Sequence, residues 1–252
     1  QYLACLGPIS LVGWVLAVRW GKLSFARHLI SAVILVVLAF LTWRQGHAYK
    51  DAETLWRHTI AANPKSALAH NNLANILSRK GNRDEAIEHY YEALKYNPKL
   101  AEAHLNLGIA LVEVGRPEEA IGYYNETIRL APNFADAHFN LGVALSKLGK
   151  GKEAVEEYLE AIRLKPNYAE AHSNLGIELV AQRRLDEAIF HFTKALEIKP
   201  EYAEAHNNLA AALYFKGDYV RAQQEIQLCE KYGGRPHPGL IKAISEKLKK
   251  SQ

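Results

Sequence analysis

Residues 98–132 read PKLAEAHLNLGIALVEVGRPEEAIGYYNETIRLAP and hold one full unit of a repeat that runs through most of the chain. Two prolines bound this unit, 34 residues apart, and the same interval separates Pro64, Pro98, Pro132, Pro166 and Pro200. Similar text, such as AEAH and NLG, follows each of these prolines. A fixed period of this length predicts a solenoid of stacked repeats rather than a single globular core.

Each unit predicts two helices. In the unit quoted above, Ala103 and Leu107 belong to an apolar stripe at helical spacing over residues 101–114. Gly115 favours the end of this helix, since glycine readily adopts the left-handed conformation that closes a last turn. Pro117 suits the first turn of a second helix, which the next unit's proline ends.

Arg183 occupies, in the fourth unit, the place that glycine takes in the others. We therefore expect a strained or different turn there. Small residues recur inside the helices as well, at Gly108, Gly142 and Gly176, and large rings recur at Tyr90, Tyr124, Tyr158 and Phe192. Small residues allow helices to cross at about 8–10 Å, and the rings would fill the remaining space.

The period and the AEAHxNLG text resemble the tetratricopeptide repeat (TPR). This resemblance implies an all-α fold, a right-handed superhelical TPR solenoid, here preceded by transmembrane helices. We assign the array to residues 48–236, with a half repeat at 50–66 and full repeats at 67–100, 101–134, 135–168, 169–202 and 203–236. An amphipathic segment at 237–252 is expected to cap the array, because solenoid ends need a polar outer face.

Residues 1–47 differ in composition and predict a membrane segment. Residues 2–18 would be the end of one span, and residues 23–43 a second span of about 30 Å; a buried core helix is the alternative. The short link between them carries only basic charges, Arg19, Lys22 and Arg27. The positive-inside rule then places the TPR array outside the cytoplasm, in a periplasm or lumen, with residues 1–43 in the bilayer.

Asparagines recur in the predicted first helices at Asn72, Asn106, Asn140, Asn174 and Asn208. An amide both donates and accepts hydrogen bonds, so a regular row can pair with the backbone of an extended polypeptide. The row resembles the inner asparagine ladder of O-linked N-acetylglucosamine transferase, which implies a peptide-binding groove. We add Asn71, Asn75 and Asn207 as candidate groove residues. The alternative is that these amides only cap or solvate their helices.

A histidine opens each first helix, at His70, His104, His138, His172 and His206. Equivalent positions lie about 10 Å apart in a helix stack, too far to share a metal ion. We therefore expect packing histidines and no metal site, with a pH-dependent effect as the alternative. The sequence predicts no cofactor, no catalytic motif and no nucleic-acid binding; the net charge is +4.

The junction TWRQGHAYKDAETLWRHTIAANPKSALAHNNLA resembles the C-terminal part of the transmembrane-and-TPR O-mannosyltransferase-like membrane proteins and their bacterial relatives. The chain begins with Gln1 and contains no methionine, so we expect a fragment or a processed chain whose catalytic part lies elsewhere. Three functions are in competition. The first is a membrane-anchored module that binds polypeptide in its groove, the second is the substrate-recognition arm of a membrane glycosyltransferase, and the third is a scaffold for a membrane complex.

Overall fold

The computed structural model describes residues 25–48 and 51–250, and every regular element in these ranges is an α-helix. Contacts divide the chain after Ala62 into two compact units. The first unit holds α1 (Phe25–Ala48) and α2 (Ala52–Ala62). The second unit holds α3 (Ala67–Arg79), α4 (Arg83–Tyr96), α5 (Ala101–Glu113), α6 (Pro117–Leu130), α7 (Ala135–Lys147), α8 (Gly151–Leu164), α9 (Ala169–Ala181), α10 (Leu185–Ile198), α11 (Ala203–Lys216), α12 (Tyr219–Lys231) and α13 (Pro238–Lys250).

The second unit is the predicted all-α solenoid. Each first helix packs against the second helix of its own pair, and each second helix packs against the first helix of the next pair. The first helices α3, α5, α7, α9 and α11 also contact one another in succession, so they form a continuous row. The last second helix, α12, packs against α13, whose Ile244 is buried. The structure thus places a helix in the predicted capping segment.

Helix α1 occupies the segment for which a second membrane span is predicted. Nine of its large apolar side chains are exposed: Ile30, Val33, Ile34, Leu35, Val36, Val37, Phe40, Leu41 and Trp43. Across the residues that the structure describes, no helix combines the length and the apolar character that crossing a membrane requires. The predicted span at 23–43 is therefore not supported. The predicted end of an earlier span, at 2–18, lies outside the described residues.

The crossing within each central pair depends on a glycine that faces an aromatic ring. A Cβ atom added at Gly108 would lie 2.5 Å from Tyr124, one at Gly142 would lie 2.7 Å from Tyr158, and one at Gly176 would lie 2.6 Å from Phe192. All three rings are almost fully buried. Real Cβ atoms do not approach carbon this closely, so only glycine lets these rings occupy the core of the pair.

The turns between paired helices confirm the predicted role of their glycines. Gly81, Gly115, Gly149 and Gly217 all have positive φ angles, between 73° and 87°. Arg183 adopts the same left-handed conformation, with φ at 61°. The fourth turn is therefore built like the others, although a side chain in this region costs about 1–2 kcal/mol.

We expect Gly142→Ala to destabilise the solenoid by about 1–3 kcal/mol, because the new methyl group would force Tyr158 out of its position. Gly122→Ala is the matched control, since a Cβ atom there meets nothing within 4 Å and the residue lies within α6. This control should stabilise the protein by about 0.5–1 kcal/mol through helix propensity alone. Thermal unfolding monitored by circular dichroism checks both; equal effects would contradict the packing explanation.

Candidate functional site

The five ladder asparagines lie at equivalent places along the first-helix row. Asn72, Asn106, Asn140, Asn174 and Asn208 are each half-buried, in α3, α5, α7, α9 and α11. The structure therefore brings the predicted residues onto one surface, which we call the ladder surface. Their amides differ in what they already bind within the protein, and this difference decides which groups stay available to a ligand.

At the first joint the ladder is tied to the neighbouring repeat. Asn106 donates from Nδ2 to Oδ1 of Asn75 at 3.0 Å, and the Tyr90 hydroxyl donates to the same oxygen at 2.6 Å. Asn75 in turn donates to Glu102 at 3.5 Å. The predicted groove residue Asn75 is thus a structural link, and it shows that a position on one first helix contacts the position 31 residues later on the next.

Further along the row, the ladder asparagines contact groups of their own or of a neighbouring helix. Asn140 donates from Nδ2 to the backbone carbonyl of Asp136 at 2.7 Å. The side chain of Asn174 lies beside that of Tyr158. Because the amide nitrogens of Asn106 and Asn140 donate internally, each keeps a side-chain carbonyl oxygen that can accept from a ligand N–H.

The structure does not place Asn71 on an accessible surface. Asn71 is 1% exposed, and the Oδ1 atoms of both Asn71 and Asn207 are buried without a hydrogen-bond partner. The equivalent residues Leu105 and Phe139 face inward too, since Leu105 is buried and the ring of Phe139 packs 4.8 Å from that of Tyr168. These apolar equivalents are the sequence signal that the position faces inward, and neither asparagine presents its carbonyl to a ligand.

An aliphatic series that the sequence patterns above did not single out accompanies the ladder. Ile109, Val143 and Ile177 follow the ladder asparagines by three residues, which puts them on the same helix face. They occupy the position that Asn75 has in the first repeat. Because Asn75 contacts Asn106 of the next repeat, each residue at this position lies next to the ladder asparagine of the following repeat. Along the ladder surface the order is therefore Asn106, Ile109, Asn140, Val143, Asn174, Ile177 and Asn208. A 34-residue recurrence of aliphatic residues beside the ladder could have revealed it.

The histidines that open the first helices are packed inside the repeats. All five are at most 9% exposed. In four of them, Nε2 lies 2.9–3.2 Å from the carbonyl oxygen of the repeat's proline, six residues earlier: His70, His104, His172 and His206. A carbonyl only accepts, so Nε2 carries the proton. In a neutral ring Nδ1 then has to accept.

In four repeats, the Nδ1 atom of this histidine faces a residue of the second helix, 19 positions later. Two repeats place a second histidine there, with 2.9 Å between the Nδ1 atoms of His70 and His89 and of His172 and His191. Two others place a carboxylate there, Glu157 at 2.8 Å from His138 and Glu225 at 2.6 Å from His206. A carboxylate matches a protonated ring, whereas a second proton on a histidine pair would set two N–H groups against each other.

Burial distinguishes the histidine pair of the fourth repeat. Burial lowers the pKa of His191 most, and the neighbouring His172 lowers it further, to about 4. Smaller effects come from Glu187, which raises this pKa, and from Arg184, which lowers it. Burial also lowers the pKa of His172, where the Pro166 carbonyl acts in the opposite direction. This pair therefore resists protonation in the folded state.

Profiles of the tetratricopeptide-repeat family match four overlapping stretches of the chain. The matched residues are 65–133, 105–169, 169–202 and 191–224. Together these stretches extend from residue 65 to residue 224, which covers the first four helix pairs and most of the fifth.

Two curated relatives are similar over shorter stretches. The chain is 30% identical over 98 residues to protein O-mannosyl-transferase Tmtc2 of Drosophila melanogaster, and 36% identical over 78 residues to protein O-mannosyl-transferase TMTC1 of Homo sapiens. These alignments cover 38% and 30% of this chain. They span only 10% and 9% of the relatives, so the likeness concerns about a tenth of each of those proteins.

Solved structures share the fold over most of the chain. YrrB, described as a TPR protein with an unusual peptide-binding site, superposes with a TM-score of 0.62 at 25% identity, over 76% of this chain and 97% of its own. MamA superposes with a TM-score of 0.55 at 27% identity, over 71% and 96%. PilF of Pseudomonas aeruginosa, at 22% identity and a TM-score of 0.63 over 73% and 91%, shares the fold alone.

We expect acid to destabilise the fourth repeat. Histidines of the unfolded chain titrate near pH 6.5, whereas His191 takes up a proton only near pH 4, so stability is lost as the pH falls below about 6.5. His191→Glu, which gives this repeat the carboxylate of the third and fifth, should recover about 1–2 kcal/mol at pH 5 relative to pH 7. Thermal midpoints at both pH values measure this effect. The reciprocal variant Glu225→His should lose stability at pH 5; the same pH dependence in all three proteins would refute the assignment.

Proposed function

We propose that this chain, which belongs to the tetratricopeptide-repeat family and is a protein–protein interaction module, binds extended polypeptide along its ladder surface. The observation that carries the proposal is the regular row of half-buried asparagines on successive first helices. A polypeptide in extended conformation exposes unpaired backbone N–H and C=O groups along its whole length. A row of amides at the spacing of the repeats can satisfy them whatever the side chains of the client.

The hydrogen bonds within the ladder support this proposal in detail. The internal hydrogen bonds of Asn106 and Asn140 use only their nitrogens, and their carbonyl oxygens remain as acceptors. Held in place by these internal bonds, the amides lose little further freedom when a ligand binds. The peptide-binding site named for YrrB, a structure of the same fold at 25% identity, is consistent with peptide as the ligand class.

A second proposal concerns the protein in which such a module acts. Similarity to two O-mannosyl-transferases favours a substrate-recognition arm of a membrane glycosyltransferase over a scaffold without enzyme. The proposal assigns no catalytic residue to this chain. Reading the gene upstream of Gln1 separates the two: many apolar spans with paired acids in an outer loop favour the enzyme, and a single short leader excludes it.

We further propose that the module is attached to a bilayer through its N-terminal residues, with the solenoid on the extracytoplasmic side. Exposed apolar side chains surround α1 from Ile30 to Trp43, and water is a poor solvent for such a surface. The basic residues Arg19, Lys22 and Arg27 support the orientation, because short cytoplasmic segments carry an excess of positive charge.

The ladder is tested by the triple variant Asn106→Ala, Asn140→Ala and Asn174→Ala in the full chain. We expect binding of unfolded client peptides to weaken about tenfold or more, because each lost hydrogen bond to a ligand contributes about 0.5–1.5 kcal/mol. Fluorescence anisotropy with labelled peptides gives the affinity, and circular dichroism verifies the fold. Asn125→Ala, an exposed asparagine of α6, is the control and should bind normally. Unchanged affinity in the triple variant would exclude the ladder as the binding surface.

The bilayer contact is tested by flotation of the full chain with liposomes. We expect the chain to float, and the variant Val36→Asp with Phe40→Asp to remain at the bottom of the gradient, because a central aspartate costs about 2.5–3.5 kcal/mol in a bilayer. Leu159→Asp, on the exposed face of α8, serves as the control and should float like the unaltered chain. If α1 contacts no lipid, the double aspartate variant will float to the same extent as this control.

A further inference from the structure

The ladder surface carries a second chemical feature that the proposed function leaves unused. Between the amides lie Ile109, Val143 and Ile177, of which Ile177 is 45% exposed and the other two are half-buried. A single exposed isoleucine is ordinary on a protein surface, but three aliphatic side chains in register on one row form a regular series that alternates with the amides. We call these three residues the aliphatic strip.

Two of the acids near the aliphatic strip are paired with lysines within the protein. Asp136 lies 3.7 Å from Lys165, and Glu170 lies 3.4 Å from Lys199. These acids stand in the first turns of α7 and α9, the helices that carry the second and third strip residues. At these two places a client side chain meets amides, aliphatic groups and acids that are already paired with lysine, so a charged one would lose its hydration without gaining a partner.

Resting on the proposed function, we infer that the client is a polypeptide segment with an uncharged aliphatic side chain at every third residue. Successive first helices lie about 8–10 Å apart, one helix-packing distance. Three residues of a polyproline-II segment advance about 9 Å, and three residues of a β-strand about 10 Å. Side chains at every third position therefore face successive members of the aliphatic strip, while the backbone between them passes the amides.

The order of residues along the ladder surface also determines which part of the client each of them contacts. A client backbone N–H donates to the free Oδ1 of Asn140, and the next aliphatic side chain covers Val143, three residues further along α7. The pattern repeats at Asn174 and Ile177 on α9. Amides thus supply affinity that is independent of the client sequence, and the strip supplies the preference for aliphatic residues.

The experiment compares three peptides built on the same proline, glycine and serine background, titrated against the full chain by fluorescence anisotropy. The first carries leucine at every third residue, the second the same number of leucines at every second residue, and the third aspartate at every third residue. We expect the first to bind about tenfold more tightly than either other peptide, which is the effect of covering aliphatic surface at several positions.

Ile177→Ser isolates the strip from the ladder. It should weaken binding of the first peptide about fivefold to tenfold and leave binding of the aspartate peptide unchanged. The matched control is Leu159→Ser, which removes an aliphatic side chain of nearly equal exposure, 46%, from the second-helix side of the solenoid. This control should bind all three peptides like the unaltered chain.

The outcomes separate this inference from the proposed function. If the triple asparagine variant weakens binding but the three peptides bind alike, the ladder stands and the aliphatic preference is excluded. Equal effects of Ile177→Ser and Leu159→Ser would exclude the aliphatic preference as well. If no peptide binds, and light scattering shows that Ile177→Ser instead abolishes self-association, the occupant is a second copy of this chain and the inference is overturned.

Discussion

The contact between a glycine of the first helix and an aromatic ring of the second sets the geometry of each central pair. Gly108, Gly142 and Gly176 leave no room for a methyl group against the rings of Tyr124, Tyr158 and Phe192. The close crossing fixes how each first helix is rotated about its axis. That rotation decides which residues face outward along the row, so the ladder surface depends on a contact that lies entirely within the core.

Several ladder residues serve the fold and the proposed binding at the same time. Asn106 ties two repeats together through Asn75, and Asn140 donates to its own helix, so these amides are held before any ligand arrives. Stability and the proposed recognition are therefore not carried by separate sets of residues. The histidines differ in this respect, since their partners His89, His191, Glu157 and Glu225 vary between repeats while the hydrogen bond to proline recurs.

The repeat length, the helix pairs and the left-handed turns follow from the sequence because local rules decide them. Prolines at 34-residue intervals end helices, and glycines such as Gly115 permit the positive φ angle. The contact from Asn75 to Asn106 depends on how two helices are rotated against each other, which no single-helix pattern reveals. The inward position of Asn71 is signalled only by comparison with Leu105 and Phe139 in other repeats. The predicted span at 23–43 is unsupported, since no helix among the described residues has the length and apolar character that crossing a membrane requires.

Each helix pair of the solenoid contacts only its neighbours. Among the described pairs, therefore, no single residue supports every repeat. A gene can therefore gain or lose one 34-residue unit by unequal recombination, and the new protein needs only two compatible joints. Under the proposed function, such a change would lengthen or shorten the bound client segment by about three residues while leaving the chemistry of each joint intact. Descendants of one ancestral array would then bind client segments of different length.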